Sequence, residues 1–324
     1  MKVYFNQNFW DTREGILGVP QKVDWKFTYE NQQYYVPMIY QFQEGITIDI
    51  ISILNTAKIK IFCEKYESNI NSMSEEELQY LETINPIQEF PLSKIYINNE
   101  LAHSNGSCTS CYITGMDHRE KDNALTEIQR ENIFLQGEDV SFQCMRVHIK
   151  YLKESQRNVH SLKFITSKTE YLIPVRKHFK IHIDSCKKEC GEVFIHPLSG
   201  VRHYIYIHEV ERKNARELFP QYELNDPFNF AIVSYELEPS LHQDERLLLM
   251  EIKQPDEYMK NDNKSATSIR VIFGNGETKL GKHGYPLESF STKMYWKSLK
   301  NIEISIAGIY KKRCSEEEIL VFSS

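Results

Sequence analysis

This sequence predicts a mainly β protein, built as two tandem β-sandwich or jelly-roll-like domains, and three observations carry that prediction. Short apolar stretches recur along the chain with the two-residue alternation of strands, separated by polar turns. Tyr and Phe supply most of an aromatic content of 12%, and both are enriched in strands. The stretch Tyr34–Asp49, YYVPMIYQFQEGITID, is nearly repeated by Tyr171–Asp184, YLIPVRKHFKIHID.

In that repeat Tyr34, Pro37 and Phe42 align with Tyr171, Pro174 and Phe179. After a two-residue gap, Ile46, Ile48 and Asp49 align with Ile181, Ile183 and Asp184. The separation is too long for a solenoid, whose repeats run about 20–50 residues, and it suits two related domains. A length of 324 residues agrees, because domains run about 100–200 residues each. The expected division is residues 1–137 and 138–324, with helical insertions in the first near 74–85 and 123–135. An α+β first half is the main alternative.

In chain order, residues 22–29, 33–40 and 45–54 read as strands, with Pro37 at a strand end or edge because it lacks a ladder donor. KIKIFC at 58–63 alternates as a fourth strand. Ser74 and Glu77 make a capping box that starts a short helix, which Pro86 stops. From Leu101 to Met116 the composition of His, Ser, Asn, Gly, Cys and Thr reads as a loop. Residues 123–135 place Leu125, Ile128 and Leu135 on one helical face, with Gly137 after the end. Strands follow at 140–152, 162–165, 171–175 and 179–183. A hairpin joins 192–196 to 201–207 through a PLSG turn. Residues 209–219 read as a brief helix ended by Pro220. Strands at 228–237, 246–253, 268–273, 301–310 and 318–322 complete the chain.

The bulk properties exclude several classes. A net charge of -6, with no basic cluster longer than Lys311–Arg313, argues against nucleic acid or an anionic membrane as the main partner. The N-terminus lacks the apolar core of a signal peptide, and no run approaches the roughly 18 apolar residues of a membrane helix. Seven cysteines, an odd number, fit reduced thiols, so a cytoplasmic protein is expected.

Chemistry-bearing residues concentrate in the second half. His178 and His182 are four apart on a strand and share a face, opposite Phe179, Ile181 and Ile183. If PLSG is a four-residue loop, His196 and His203 lie diagonally on one face of the hairpin. These four imidazoles form a candidate site for a divalent transition metal. In the first repeat the positions of His178, His182 and His196 hold Gln41, Thr47 and Phe90, so such a site belongs to the second domain alone. A second candidate joins the CxxC of Cys108 and Cys111 to the CxxxC of Cys186 and Cys190 as four thiolates around zinc.

The segment GEVFIHPLSGVRH, Gly191–His203, resembles the second motif of cupins, in which Gly, Pro, Gly and a metal-binding His recur around a hairpin. It departs from that pattern by one extra residue between Pro and Gly, and no first motif with paired His and Glu precedes it. Cupin activity is therefore not carried over. Three other signatures fail: GETKLGKH at Gly276–His283 has P-loop spacing but places His283 where Ser or Thr must hold magnesium. HEVER at His208–Arg212 lacks the second His of a zinc-protease helix, and no GxSxG elbow exists.

With no diagnostic catalytic motif, the expected function is that of a non-enzymatic binding or assembly protein with a protein, small-molecule or carbohydrate ligand. A metal-dependent enzyme or metal sensor using the second-domain histidines is the alternative. A carbohydrate-binding or carbohydrate-active protein, with Trp10, Trp25, Trp296 and the tyrosines as stacking platforms, is the further one.

Overall fold

Strand dominates the computed structural model, which describes residues 1–11, 15–116, 123–183, 190–218, 229–252, 279–295 and 299–323. The chain divides into two units, neither of them continuous in sequence. One comprises Met1–Met73, Ile84–Thr169 and Arg313–Ser324, and the other Ser74–Thr83 and Glu170–Lys312.

In the first unit, strands β1 (Val19–Tyr29), β2 (Gln32–Gln41), β3 (Gly45–Leu54), β4 (Leu92–Ile97), β5 (Glu100–Tyr112), β6 (Ser141–Lys150), β7 (Ser161–Thr166) and β15 (Glu318–Ser323) form one eight-stranded sheet in the order β1-β2-β3-β6-β5-β4-β7-β15. Every strand sends side chains into a single core, among them Phe27, Val36, Ile48, Ile95, Val147, Phe164 and Val321. Trp25 of β1 stacks on Phe322 of β15 with ring centroids 4.5 Å apart. The sheet thus rolls until its two edge strands face each other.

Strands β3 and β6 are buried on both sides. Their outer face is covered by the N-terminal segment and by helix α3 (Asn123–Glu131), which inserts Leu125 and Ile128 beside Ile51, Phe142 and Cys144. That covered face also carries charge, because Asp49 and Arg146 sit directly opposite each other across the strand pair. Arg146 donates through Nε and Nη2 to the two carboxylate oxygens at 2.8 Å each, and the Phe9 ring lies against the guanidinium. One step along, His148 Nδ1 accepts from the Asn6 N–H and meets the Thr47 hydroxyl, so Nε2 carries the proton given to the Gln7 carbonyl. Burial, and then the nearby Arg146, hold that imidazole below its usual range.

The second unit is a two-sheet sandwich. Strands β8 (Thr169–His182), β12 (Glu245–Glu251) and β14 (Asn301–Cys314) make one sheet in the order β12-β14-β8. Strands β9 (Cys190–Ile195), β10 (Arg202–Asn214), β11 (Asn229–Glu238) and β13 (Glu288–Ser291) make the other, in the order β13-β11-β10-β9. Ile181, Ile304, Ile306 and Leu249 of the first sheet meet Phe194, Ile205, Ile207, Val233 and Leu237 of the second. Helix α2 (Glu75–Ile84) lies on the outer side of the three-stranded sheet, with Tyr80 against Leu172, Leu248 and Ala307. The Ser305 hydroxyl donates to Glu76 at 2.9 Å, and Ser74 and Glu77 form the expected capping box.

Four local expectations are overturned. Residues 209–214 continue strand β10 and Ala215–Leu218 are helical, and Pro37 lies inside the interior strand β2, at the register shift between Tyr35 and Ile39 that spares it a ladder bond. KIKIFC lies in helix α1 (Thr56–Tyr66) rather than a strand, because Asn55 caps the Lys58 N–H and Phe62 meets Tyr66 one turn on. The polar stretch after Leu101 is strand β5 rather than a loop. Its first residues pair with β4 and the rest with β6, so ladder hydrogen bonds hold residues that bury little, and the pairing with β6 bulges at Asn105, beside Gly106 at φ 141. The repeated stretches also take different forms. Tyr34–Asp49 turns back as the β2–β3 hairpin, whereas its counterpart runs on as β8 with Arg176 at φ 56; the two-residue gap is where the hairpin turns. Asp184 and the strand expected at 268–273 lie outside the described residues. Residues 138–169, placed by sequence with the second half, pair into the first unit's sheet as β6 and β7.

Asp49→Asn leaves Arg146 buried without its counter-charge and is expected to cost about 3–5 kcal/mol of stability. The double change Asp49→Leu with Arg146→Met removes both charges and is expected to recover most of that loss. Urea denaturation of the three proteins checks both outcomes.

Candidate metal centre

Glu236, on the outer side of β11, is wholly buried although nothing about its strand position requires it. A carboxylate out of water must find donors. The turn at 280–286, closed by a bridge between Leu280 and Pro286, supplies them: the His283 N–H lies 3.1 Å from both carboxylate oxygens and the Tyr285 N–H donates to Oε1 at 3.0 Å. Gly281 permits this approach, because a Cβ there would fall 2.1 Å from the Glu236 carboxyl carbon. Gly284 turns the backbone at φ +84.

A β-bulge supplies the next group. Ile207 pairs with Tyr235 and Glu209 with Ser234, so His208 is the extra residue between them. Its Nε2 comes against Glu236 Oε2. The His283 ring lies flat on Tyr206, with centroids 4.0 Å apart, and 5.7 Å from the His208 ring. Ligand atoms of His208, Glu236 and His283 all fall within 4.8 Å of one another. Among the described residues this is the one grouping of His, Cys, Asp and Glu close enough to share an ion.

The electrostatics favour an ionised carboxylate. Burial acts to raise Glu236, but the two backbone N–H donors and the His208 imidazole outweigh it and hold the group below the usual carboxylate range. Glu238, two residues on along β11, accepts the Tyr206 hydroxyl at 2.6 Å and the Tyr285 hydroxyl at 3.3 Å. Burial and Glu238 raise Tyr285, which keeps it a proton donor at neutral pH.

The residues singled out by sequence are distributed differently. His196 and His203 do come together, in the register the PLSG turn implies, with ring centroids 6.1 Å apart. Both are engaged: His196 Nδ1 accepts from the Leu198 and Ser199 N–H groups while Nε2 lies 3.4 Å from Glu245, and His203 Nδ1 donates to the Pro239 carbonyl. His178 and His182 share the exposed face of β8, beside Glu76 and Asn301 respectively. Cys108 and Cys111 alternate to opposite faces of β5, and burial raises both thiols, the second to about 11. Cys190 opens β9 in the other unit, and Cys186 lies outside the described residues.

His208 and His283 each sit inside a signature rejected by sequence, HEVER and GKH. The readable signals were a His continuing the Tyr204–Tyr206 alternation on β10, a Glu in the otherwise buried run of β11, and a His between two glycines. Comparison of the chain with protein-family models, with curated proteins and with solved structures found no match in any of the three.

Because the Glu236 pKa is depressed on folding, its stabilisation is present above the ordinary value of 4.5 and lost as pH falls through the folded-state pKa. Glu236→Gln is thus expected to be less stable than wild type at pH 7, with the gap closing as pH falls below 4.5. Gly281→Ala is expected to pry the turn off the carboxylate and reproduce that pattern. Thermal melts across pH check both.

Proposed function

We propose that this protein binds a divalent transition metal, zinc before others, through His208, Glu236 and His283, and that the ion serves a small-molecule ligand or substrate. The observation that carries this reading is the convergence of two imidazoles on a fully buried carboxylate within 4.8 Å. Two His and one Glu fit both a three-ligand zinc site and the facial triad of non-haem iron. When bound, such an ion supplies Lewis acidity at the positions the protein leaves open.

This reading takes the metal-dependent alternative over a purely assembling role. A bulge that singles out one His, and a glycine turn folded over one carboxylate, are more than a packing surface requires. Glu238, held by two phenols beside the site, is the group placed to exchange a proton with whatever binds there.

Purified protein stripped with chelator and titrated with zinc is expected to take up one ion per chain. Its melting temperature should rise, since ligand at about 100 times Kd adds about 2.7 kcal/mol. His208→Ala and His283→Ala should each weaken uptake at least ~10-fold, which corresponds to about 1.4 kcal/mol. Undiminished uptake by the variant lacking both histidines, or none by wild type with zinc, iron or manganese, overturns the reading.

A further inference from the structure

A second site lies in the first unit, at one mouth of the rolled sheet, and does not depend on the metal reading. A cavity of about 490 Å³ opens there, floored by Trp25, Ile39 and Phe322 and edged by Gln21, Gln41 and Asn158. The mouths of rolled sheets are among the places where small ligands bind, and the volume lies within the range of such pockets.

The floor is built by a distortion of β1. The pairing of β1 with β2 slips between Lys22 and Trp25, and Asp24 takes φ 52, so the strand kinks where Trp25 leaves it. The indole then stacks on Phe322 across the seam between the edge strands, at an interplanar angle of 13°. Both rings are only partly buried against the core. Both line the cavity, and an aromatic ring can meet the C–H face of a sugar with the face its stacking partner does not cover.

The rim has a matching character. Gln41 Nε2 donates to Gln21 Oε1 at 2.7 Å, which fixes the two amides side by side. An amide has two donors and two acceptor lone pairs, so each keeps capacity beyond that bond. Among the described residues no carboxylate lines the cavity; beside the amides stand His160 and Lys22, the latter paired with Asp24 at 3.2 Å. Amides with no net charge select hydroxyl groups over ionised ones.

We propose that the cavity floored by Trp25 and Phe322 and rimmed by Gln21 and Gln41 binds a neutral saccharide, its ring on the aromatic pair and its hydroxyls on the amides.

The test uses the full chain, with saturation-transfer NMR and Trp fluorescence against glucose, galactose, N-acetylglucosamine, cellobiose and maltose, with galacturonate and an unstructured decapeptide as comparators. At least one neutral sugar is expected to bind saturably. Gln41→Leu should weaken that sugar about 10-fold, the loss of roughly one hydrogen bond, at an unchanged melting temperature. Trp25→Ala should abolish it, while His208→Ala leaves it untouched. If Trp25→Ala does not fold, Gln41→Leu alone decides. No saturable binding by any neutral sugar overturns the proposal. So does binding that Gln41→Leu leaves intact, and so does binding confined to galacturonate or to the peptide, the latter pointing to strand addition at the seam between β1 and β15.

Discussion

The second unit is arranged around one carboxylate that has no access to water. Burying an ionised Glu is costly unless its oxygens are met by donors, and Glu236 is met from two directions. From the sheet, a bulge in β10 brings His208 against it. From above, the 280–286 turn lays two backbone N–H groups on it and can do so because Gly281 has no side chain. Remove the charge and the bulge, the turn and the stacking of His283 on Tyr206 lose their common reason. The cost of sequestering Glu236 also explains why two histidines far apart in the chain end as neighbours.

The first unit meets the same physical problem with a different answer. Its outer face at β3 and β6 is roofed by the N-terminal segment and α3, which would strand Asp49, Arg146, Thr47 and His148. Here the solution is mutual: guanidinium on carboxylate, imidazole on hydroxyl, each pair in register across two strands. Both charges neutralise each other and the Phe9 ring closes over them, so no open ligand position is left. Asp49 and Glu236, both buried, thus carry opposite meanings. Asp49 has a guanidinium to itself, whereas Glu236 is met by an imidazole and two backbone N–H groups.

Much of the fold was legible because alternation and turn chemistry are local. Strands β1, β2, β3 and β6, the hairpin of β9 and β10, and the capped helix at Ser74 all follow from residues within a few positions of one another. Reading failed where a local signal was ambiguous or absent. KIKIF alternates like a strand, yet it also places Ile59, Phe62 and Tyr66 on one helical face, and Asn55 decides between the two. Strand β5 has almost no apolar pattern because its neighbours, rather than a core, hold it. The grouping of His208, Glu236 and His283 was hidden for a stronger reason. His208 and His283 acquire meaning only relative to Glu236, and a bulge that adds one residue to β10 cannot be read from residues that continue to alternate through it.

The interleaving of the two units along the chain has a consequence during synthesis. The first unit's sheet needs β15, made after every described strand of the second unit, to sit beside β7. Until it emerges from the ribosome, the edge of β7 and the apolar residues awaiting Ile319 and Val321 stand bare. Helix α2, by contrast, is made early and waits for β8, β12 and β14 before it has a surface to cover. The second unit can therefore close while the first is still short of one stave. For that interval the nascent protein carries an unfinished strand edge, the type of surface that chaperones shield and that aggregation exploits.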